Sequence, residues 1–194
     1  KYENTNTENP DTTDRSLSWT VNDGTTDSTA VVYTIKISAN NDPPALTLGT
    51  TTTQSFTEGG SAINLDTSAS VAISDADNAN MASAKVVISS STLTGSEDVL
   101  GFTDTATITG SYDSNTGTLT LTGSDTIASY VAALKTVTYL NSNTANPSTT
   151  TRSLSWTVND GTTDSTAVTT TISVAGVNDP PILSLVSSTM AYTE

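Results

Sequence analysis

The chain contains no cysteine and no histidine. Without cysteine, no disulfide can staple the fold and no thiol can act. Without histidine, the commonest general base and the commonest transition-metal ligand are both missing. Basic residues are scarce: six Lys and Arg stand against twenty Asp and Glu, a formal charge of −14. A surface of that sign repels nucleic acid and anionic membranes and suits cations. Aromatic residues make up 5% of the chain and hydrophobic residues 34%, so any core must be lean. No apolar run approaches the roughly 18 residues of a membrane span, and direct membrane insertion is not expected.

What is present is pattern. Stretches such as TLTLTG (118–123) and AKVVIS (84–89) alternate Thr or Ser with aliphatic residues. That period of two marks half-buried strands. A longer pattern lies above it. The run RSLSWTVNDGTTDSTAV occurs at Arg15–Val31 and again, letter for letter, at Arg152–Val168, 137 positions later. Around it NTENP (6–10) answers NTANP (143–147), Tyr2 answers Tyr139, and NDPPALTL (41–48) answers NDPPILSL (178–185). SFTE (55–58) answers AYTE (191–194) one position short. The sequence therefore reads as a window on a tandem array. It holds the C-terminal part of one repeat (1–42), a complete repeat (43–179) and the start of a third (180–194). The paired prolines of NDPP cannot donate to a ladder and hold the backbone extended, which suits a short linker. The alternative is a loop inside one domain, with the folded unit framed differently across the proline joint.

Within the complete repeat, strands are expected near 45–48, 54–57, 61–65, 70–73, 84–90, 99–102, 106–110, 117–122, 136–140, 152–158 and 167–174. The segment 124–137 breaks the alternation. Ser124 or Asp125 can cap a helix there, and Ile127, Tyr130, Val131 and Leu134 fall on one helical face. Many short strands joined by Asn, Asp and Gly turns predict an all-β antiparallel sandwich with one short helix. VNDGTTDS carries Asp-Gly at the bend of a hairpin. Trp19 and Trp156, each amid alternating apolar residues, read as core.

The acidic residues stand out by position. Asp75 and Asp77 sit two apart in a loop after a strand, where their oxygens can converge on one hard cation that takes six to eight oxygens. Asn41 and Asp42 lie in one linker, Asn178 and Asp179 in the next. Asp160 lies in the hairpin, and Glu58 ends an early strand, with Glu194 as its counterpart. The alternative for all of them is a solvated acidic surface with turn-forming aspartates.

Together the NDPP joint, TEGG (57–60), SDADNANMASAKVVI (74–88), GSYDSNTGTLTLTG (110–123) and WTVNDGT (156–162) resemble bacterial cadherin-like tandem domains. Nearly all of 43–179 takes part. The resemblance implies an Ig-like, cadherin-like sandwich that extends the stalk of a secreted RTX adhesin, including the type described as a split domain. It also implies calcium between successive domains. By position, Asn41, Asp42, Asp75, Asp77 and Asp160 would meet at the first linker, and Glu58, Asn178 and Asp179 at the second. Glu97 and Asp98 are further candidates for that lower edge. The sequence departs from the family before each linker pair, at Ala39-Asn40 and Gly176-Val177, and in lacking an evident acidic motif on the lower edge, for which Glu8 is a candidate with Ala145 as its counterpart. Fewer ions per linker than in animal cadherins follow from that.

The expected role is a non-enzymatic, extracellular extender at the bacterial cell surface, a monomer whose partners are neighbouring repeats and whose host protein serves adhesion and biofilm formation. A calcium-dependent carbohydrate-binding module is the alternative, and would need exposed aromatics for sugar stacking. A glycosidase would need a paired acid and nucleophile in a cleft.

Overall fold

The computed structural model describes residues 1–49 and 53–184. The opening of the third repeat from 185 onward, including Glu194, lies outside the described residues. Two strands come from the first 42 residues: β1 (Arg15–Trp19) and β2 (Val31–Ile35). They pair antiparallel with each other, Arg15 against Ile35 and Trp19 against Val31, in a sheet of their own.

Eleven strands and one helix follow between Ala45 and Ala175. They are β3 (Ala45–Thr47), β4 (Gln54–Thr57), β5 (Ile63–Asn64), β6 (Ala72–Ser74), β7 (Asn80–Ile88), β8 (Asp98–Gly101), β9 (Thr109–Asp113), β10 (Thr118–Thr126), α1 (Ile127–Leu134), β11 (Thr138–Asn141), β12 (Arg152–Asn159) and β13 (Val168–Ala175). One layer is a six-stranded sheet in the order β4-β13-β12-β7-β10-β9. Its pairs are antiparallel except β13 with β4, which run parallel at the edge. The sheets β5-β11-β8 and β3-β6 complete the sandwich. The fold is all-β with one short helix.

The alternation seen in the sequence is what the layers bury. In β12, Arg152, Leu154, Trp156 and Val158 point inward while Ser153, Ser155 and Thr157 stay half-exposed. From β7, Ala84, Val86 and Ile88 join them in one core cluster, with Phe56 and Tyr139. The rings of Phe56 and Tyr139 meet edge to face at 5.6 Å and 88°, the arrangement that ring quadrupoles favour. Trp156 donates its indole N–H to Thr170 Oγ1 at 2.8 Å, so its single polar atom is satisfied inside.

Several boundaries differ from the sequence reading for local reasons. The strand expected at 106–110 lies at 109–113. Thr105 Oγ1 accepts the N–H groups of Ile108 and Thr107, and Asp104 Oδ1 accepts that of Gly110, so side chains hold 104–108 in a loop. The strand expected to stop at 122 runs on to Thr126 across a register shift between Thr122 and Asp125. Gly123 makes that bulge possible: its φ is +140°, and a Cβ there would sit 1.9 Å from Thr107 O. The helix consequently starts later than expected. Thr126, not Ser124 or Asp125, is its N-cap and accepts the Ser129 N–H. Trp19, expected in a core, is 63% exposed, because among the described residues no second layer covers β1 and β2.

Candidate functional site: the acidic clusters at the two linkers

β12 runs from Arg152 to Asn159, and β13 returns from Val168 to Ala175. Their turn, which contains Asp160, therefore marks one end of the sandwich, and Ala175 the other. Eight residues of β12 at about 3.3 Å each separate the ends by about 26 Å.

At the turn end the first linker meets two loops. Asn41 Nδ2 donates to Asp160 Oδ2 at 2.7 Å and to Thr163 Oγ1 at 3.3 Å. Asn41 Oδ1 accepts from Asn78 Nδ2 at 2.9 Å, and Asn78 also reaches Asp77 Oδ1 at 3.2 Å. The Asp42 N–H donates to Asp77 Oδ2 at 3.3 Å. Each loop is built by its own aspartate. Asp75 Oδ1 accepts the N–H groups of Asp77 and Asn78, and Asp160 Oδ1 those of Thr162 and Thr163. These Asx turns let an acidic loop hold a shape before anything binds it. The structure thus brings Asn41, Asp42, Asp75, Asp77 and Asp160 into one cluster.

The cluster leaves oxygen atoms over. Asp42 Oδ2 and Asp75 Oδ2 are buried with no hydrogen-bond partner. Asp42 and Asp75 also line one concavity with Glu8, Pro43, Ser74 and Ala76. Glu8 arrives from the first 42 residues, whose Asn9 Nδ2 bonds Ala76 O at 3.0 Å. Among the described residues, the ion pairs involve Glu3, Asp11, Asp14, Glu97 and Asp98, and none of these cluster carboxylates. Burial opposes ionisation of Asp160, but hydrogen bonds from Asn41 and from the N–H groups of Thr163 and Thr162 outweigh it and hold its pKa below the usual value. Asp160 thus stays an anion.

At the other end Glu58 follows β4, and its N–H donates to Ala175 O at 2.8 Å. Its side chain folds over the second linker, where Oε2 accepts the Val177 N–H at 2.6 Å. Glu58 is 9% exposed, and its Oε1 is buried without a partner. Asn178 and Asp179 are exposed, and Asn178 Nδ2 bonds only to Asp179 O, at 3.2 Å, among the described contacts. They stand near Glu58 in the chain but make no side-chain bond to it there.

Glu97 and Asp98 lie toward this same end, yet they face inward. Arg152 Nε donates to both Asp98 oxygens, at 3.0 and 2.9 Å, and Tyr139 Oη donates to Asp98 Oδ1 at 2.6 Å. Arg152 Nη2 stands 3.6 Å from Glu97 Oε2, a charge contact too long for a hydrogen bond. Glu97 also accepts from the Ser148 N–H and from Asn143 and Asn141. These carboxylates neutralise a buried guanidinium and are not free for a linker ion.

Asn78 and Thr163 are the contributors that sequence reasoning did not name; Glu8, a candidate for the acidic lower edge, lines the same concavity as Asp42 and Asp75. Asn78 stands directly after the Asp-x-Asp motif and was within reach of a pattern argument. Thr163 is placed by the turn alone. Among the described residues no group of three or more Asp, Glu, His or Cys side chains is set to hold a metal ion by itself. Any cation here would draw on amide and main-chain oxygens as well as carboxylates. Comparison with known proteins finds no matching family model, no matching curated sequence and no matching solved structure.

Proposed function

We propose that the chain is a structural extender: a repeated β-sandwich of a secreted bacterial surface adhesin, stiffened by calcium at its linkers, that holds a binding tip away from the cell. The observation that carries this reading is the placement of the two linkers at opposite ends of one sandwich. Each sits against a carboxylate oxygen that is buried without a donor. A chain entering at one end and leaving at the other lengthens with every copy. No reaction is assigned to it.

Calcium suits the donor chemistry. At the linkers the buried atoms without a hydrogen-bond partner are the carboxylate oxygens of Asp42, Asp75 and Glu58, the chain has no histidine, and calcium takes six to eight oxygens in loose geometry. Asn41, Asp42, Asp75, Asp77 and Asp160 would hold it at the first linker, and Glu58, Asn178 and Asp179 at the second. Bound there, the ion supplies positive charge to crowded carboxylates and ties linker to loop. The chain's own part is preorganisation: Asn41 bridges the 75–78 and 160–163 loops, and the prolines keep the linker extended. Without the ion, the ends of neighbouring sandwiches are polar and acidic, and relative motion is the default.

The test is stability and shape. The melting temperature should rise in millimolar calcium over chelator, and only weakly with magnesium. A native-state ligand at a hundredfold excess over its Kd adds about 2.7 kcal/mol. Asp75→Ala with Asp77→Ala should remove most of that gain while β-sheet circular dichroism persists. Three or more repeats should scatter X-rays as a straight rod in calcium and as a shorter, more variable chain in chelator, each repeat adding roughly 30–45 Å. Identical melting in both conditions refutes the calcium assignment.

One observation favours the carbohydrate-binding alternative: Tyr2, Trp19 and Tyr33 line an exposed apolar hollow on β1 and β2. Against it, the second copy of the same strand buries its tryptophan completely.

A further inference from the structure

That hollow has a more specific reading. Arg15, Leu17 and Trp19 of β1 stand opposite Ile35, Tyr33 and Val31 of β2, so these six share one face. Trp19 and Tyr33 are 63% and 65% exposed. On the same face of the second copy, Arg152, Leu154, Trp156 and Ile172 are at most 1% exposed, Thr170, which stands where Tyr33 does, is 6% exposed, and Val168 is half-buried. Seventeen consecutive residues are identical between the two. The molecule therefore carries a record of what covers this face. In the second copy, β7 pairs along the free edge of β12, β4 pairs in parallel along β13, and the opposite layer closes over the apolar side chains. Asp98 and Glu97 receive Arg152, and Tyr139 donates to Asp98.

β1 and β2 have both outer edges unpaired, and an isolated two-stranded hairpin is marginal in water. Their charged residue waits in the same way. Among the described residues the one ion pair of Arg15 is with Asp11, at 3.3 Å, whose side chain is 67% exposed, and its other guanidinium bonds go to the main-chain oxygens of Asp11 and Thr13. Tyr2, the counterpart of Tyr139, lines the hollow with Leu17, Trp19, Tyr33 and Ile35.

We infer that the β1–β2 face is a docking surface for a half-sandwich of the chain's own type: a polypeptide equivalent to residues 43–137, which supplies the β4-like and β7-like edge strands, the covering layer and a Glu-Asp pair for Arg15. The inference rests on the tandem-repeat part of the proposed function and is independent of calcium. The face is thus an assembly surface, not a sugar platform.

The experiment extends the full chain at its N-terminus with a second copy of residues 43–137, so that Lys1 stands where Thr138 stands in the complete repeat. Both chains carry 5-fluorotryptophan, and Trp19→Phe assigns the two fluorine resonances. In the chain without the added copy, the Trp19 resonance should show the full solvent isotope shift between water and deuterium oxide, and the Trp156 resonance almost none. In the extended chain the Trp19 shift should vanish, in calcium and in chelator alike. Asp98→Ala in the added copy alone should restore part of it. A Trp19 shift that survives the extension overturns the inference. So does a Trp19 already protected in the original chain and sedimenting as a dimer, which would assign the face to a second copy. Failure of the calcium reading would appear in the melting titration and leave these fluorine results unchanged.

Discussion

The two copies of RSLSWTVNDGTTDSTAV fold into the same hairpin and live in opposite environments. Their turns agree closely. Asn22 Nδ2 reaches Asp27 at 2.7 Å and Asn159 Nδ2 reaches Asp164 at 2.6 Å; Gly24 and Gly161 have φ of +104° and +107°. The strand registers match as well, Trp19 against Val31 and Trp156 against Val168. Burial does not match: Trp19 is 63% exposed and Trp156 fully buried. Hairpin geometry is therefore a property of the local sequence, through Asx bonds and a glycine at positive φ. Burial, and with it most of the stabilisation, belongs to whatever packs against the hairpin.

The comparison can be broken most forcefully at the tryptophans. Trp156→Ala should cost about 3–5 kcal/mol, from lost transfer energy plus the cavity left behind. Trp19→Ala should stay within about 0.5 kcal/mol, as surface changes do. Denaturant unfolding of both variants measures the contrast, and similar losses would mean that Trp19 is covered in solution.

The arginines sharpen it next. Arg152→Ala leaves Asp98 buried without its cation and should cost about 3–5 kcal/mol. Arg15→Ala breaks one exposed pair worth about 0–1 kcal/mol. A cycle of Arg152→Ala with Asp98→Ala should show strong coupling in chemical denaturation.

A smaller effect is expected from pH. Burial works against the Glu97 carboxylate, but bonds from Asn143, Ser148 and Asn141 and the nearby Arg152 charge hold its pKa below the ordinary 4.5. A carboxylate depressed in the folded state contributes stability that is fully present above its unfolded value and lost as pH falls through the folded one. Melting temperature should therefore decline below about pH 4.5, and Glu97→Gln should flatten that acid limb.

The smallest expected effect is at Glu8. Glu8→Ala makes the first linker resemble the second, where Ala145 holds that position. Calcium titration by calorimetry should give a modestly weaker affinity at the first linker, with the folded baseline unchanged.

Strand placement was legible because period-two alternation directly encodes which residues face inward. Leu154, Trp156 and Val158 could be assigned to the core from spacing alone. The short helix was legible for the converse reason, a break in that period. Its N-cap was not, since a bulge at Gly123 carried β10 four residues further than propensity suggested. The spacing of Asp75 and Asp77 marked a loop after a strand, and the two residues lie between β6 and β7. Nothing in the chain indicated that Glu97 and Asp98, equally acidic and adjacent, turn inward to Arg152. That depends on β11 and β12 bringing Tyr139 and Arg152 to the same buried point, a long-range meeting with no local signature.

By itself the sequence determined the repeat, its 137-residue period, the alternating strands and the hairpin turns, because each follows from chemistry within a few neighbouring residues or from identity between copies. Only the tertiary structure decided which of two identical tryptophans is core. It likewise decided which acidic residues gather at a linker and which neutralise a buried arginine. Those outcomes depend on which surfaces the other strands cover, and desolvation, unlike a turn, is a property of the assembled layers.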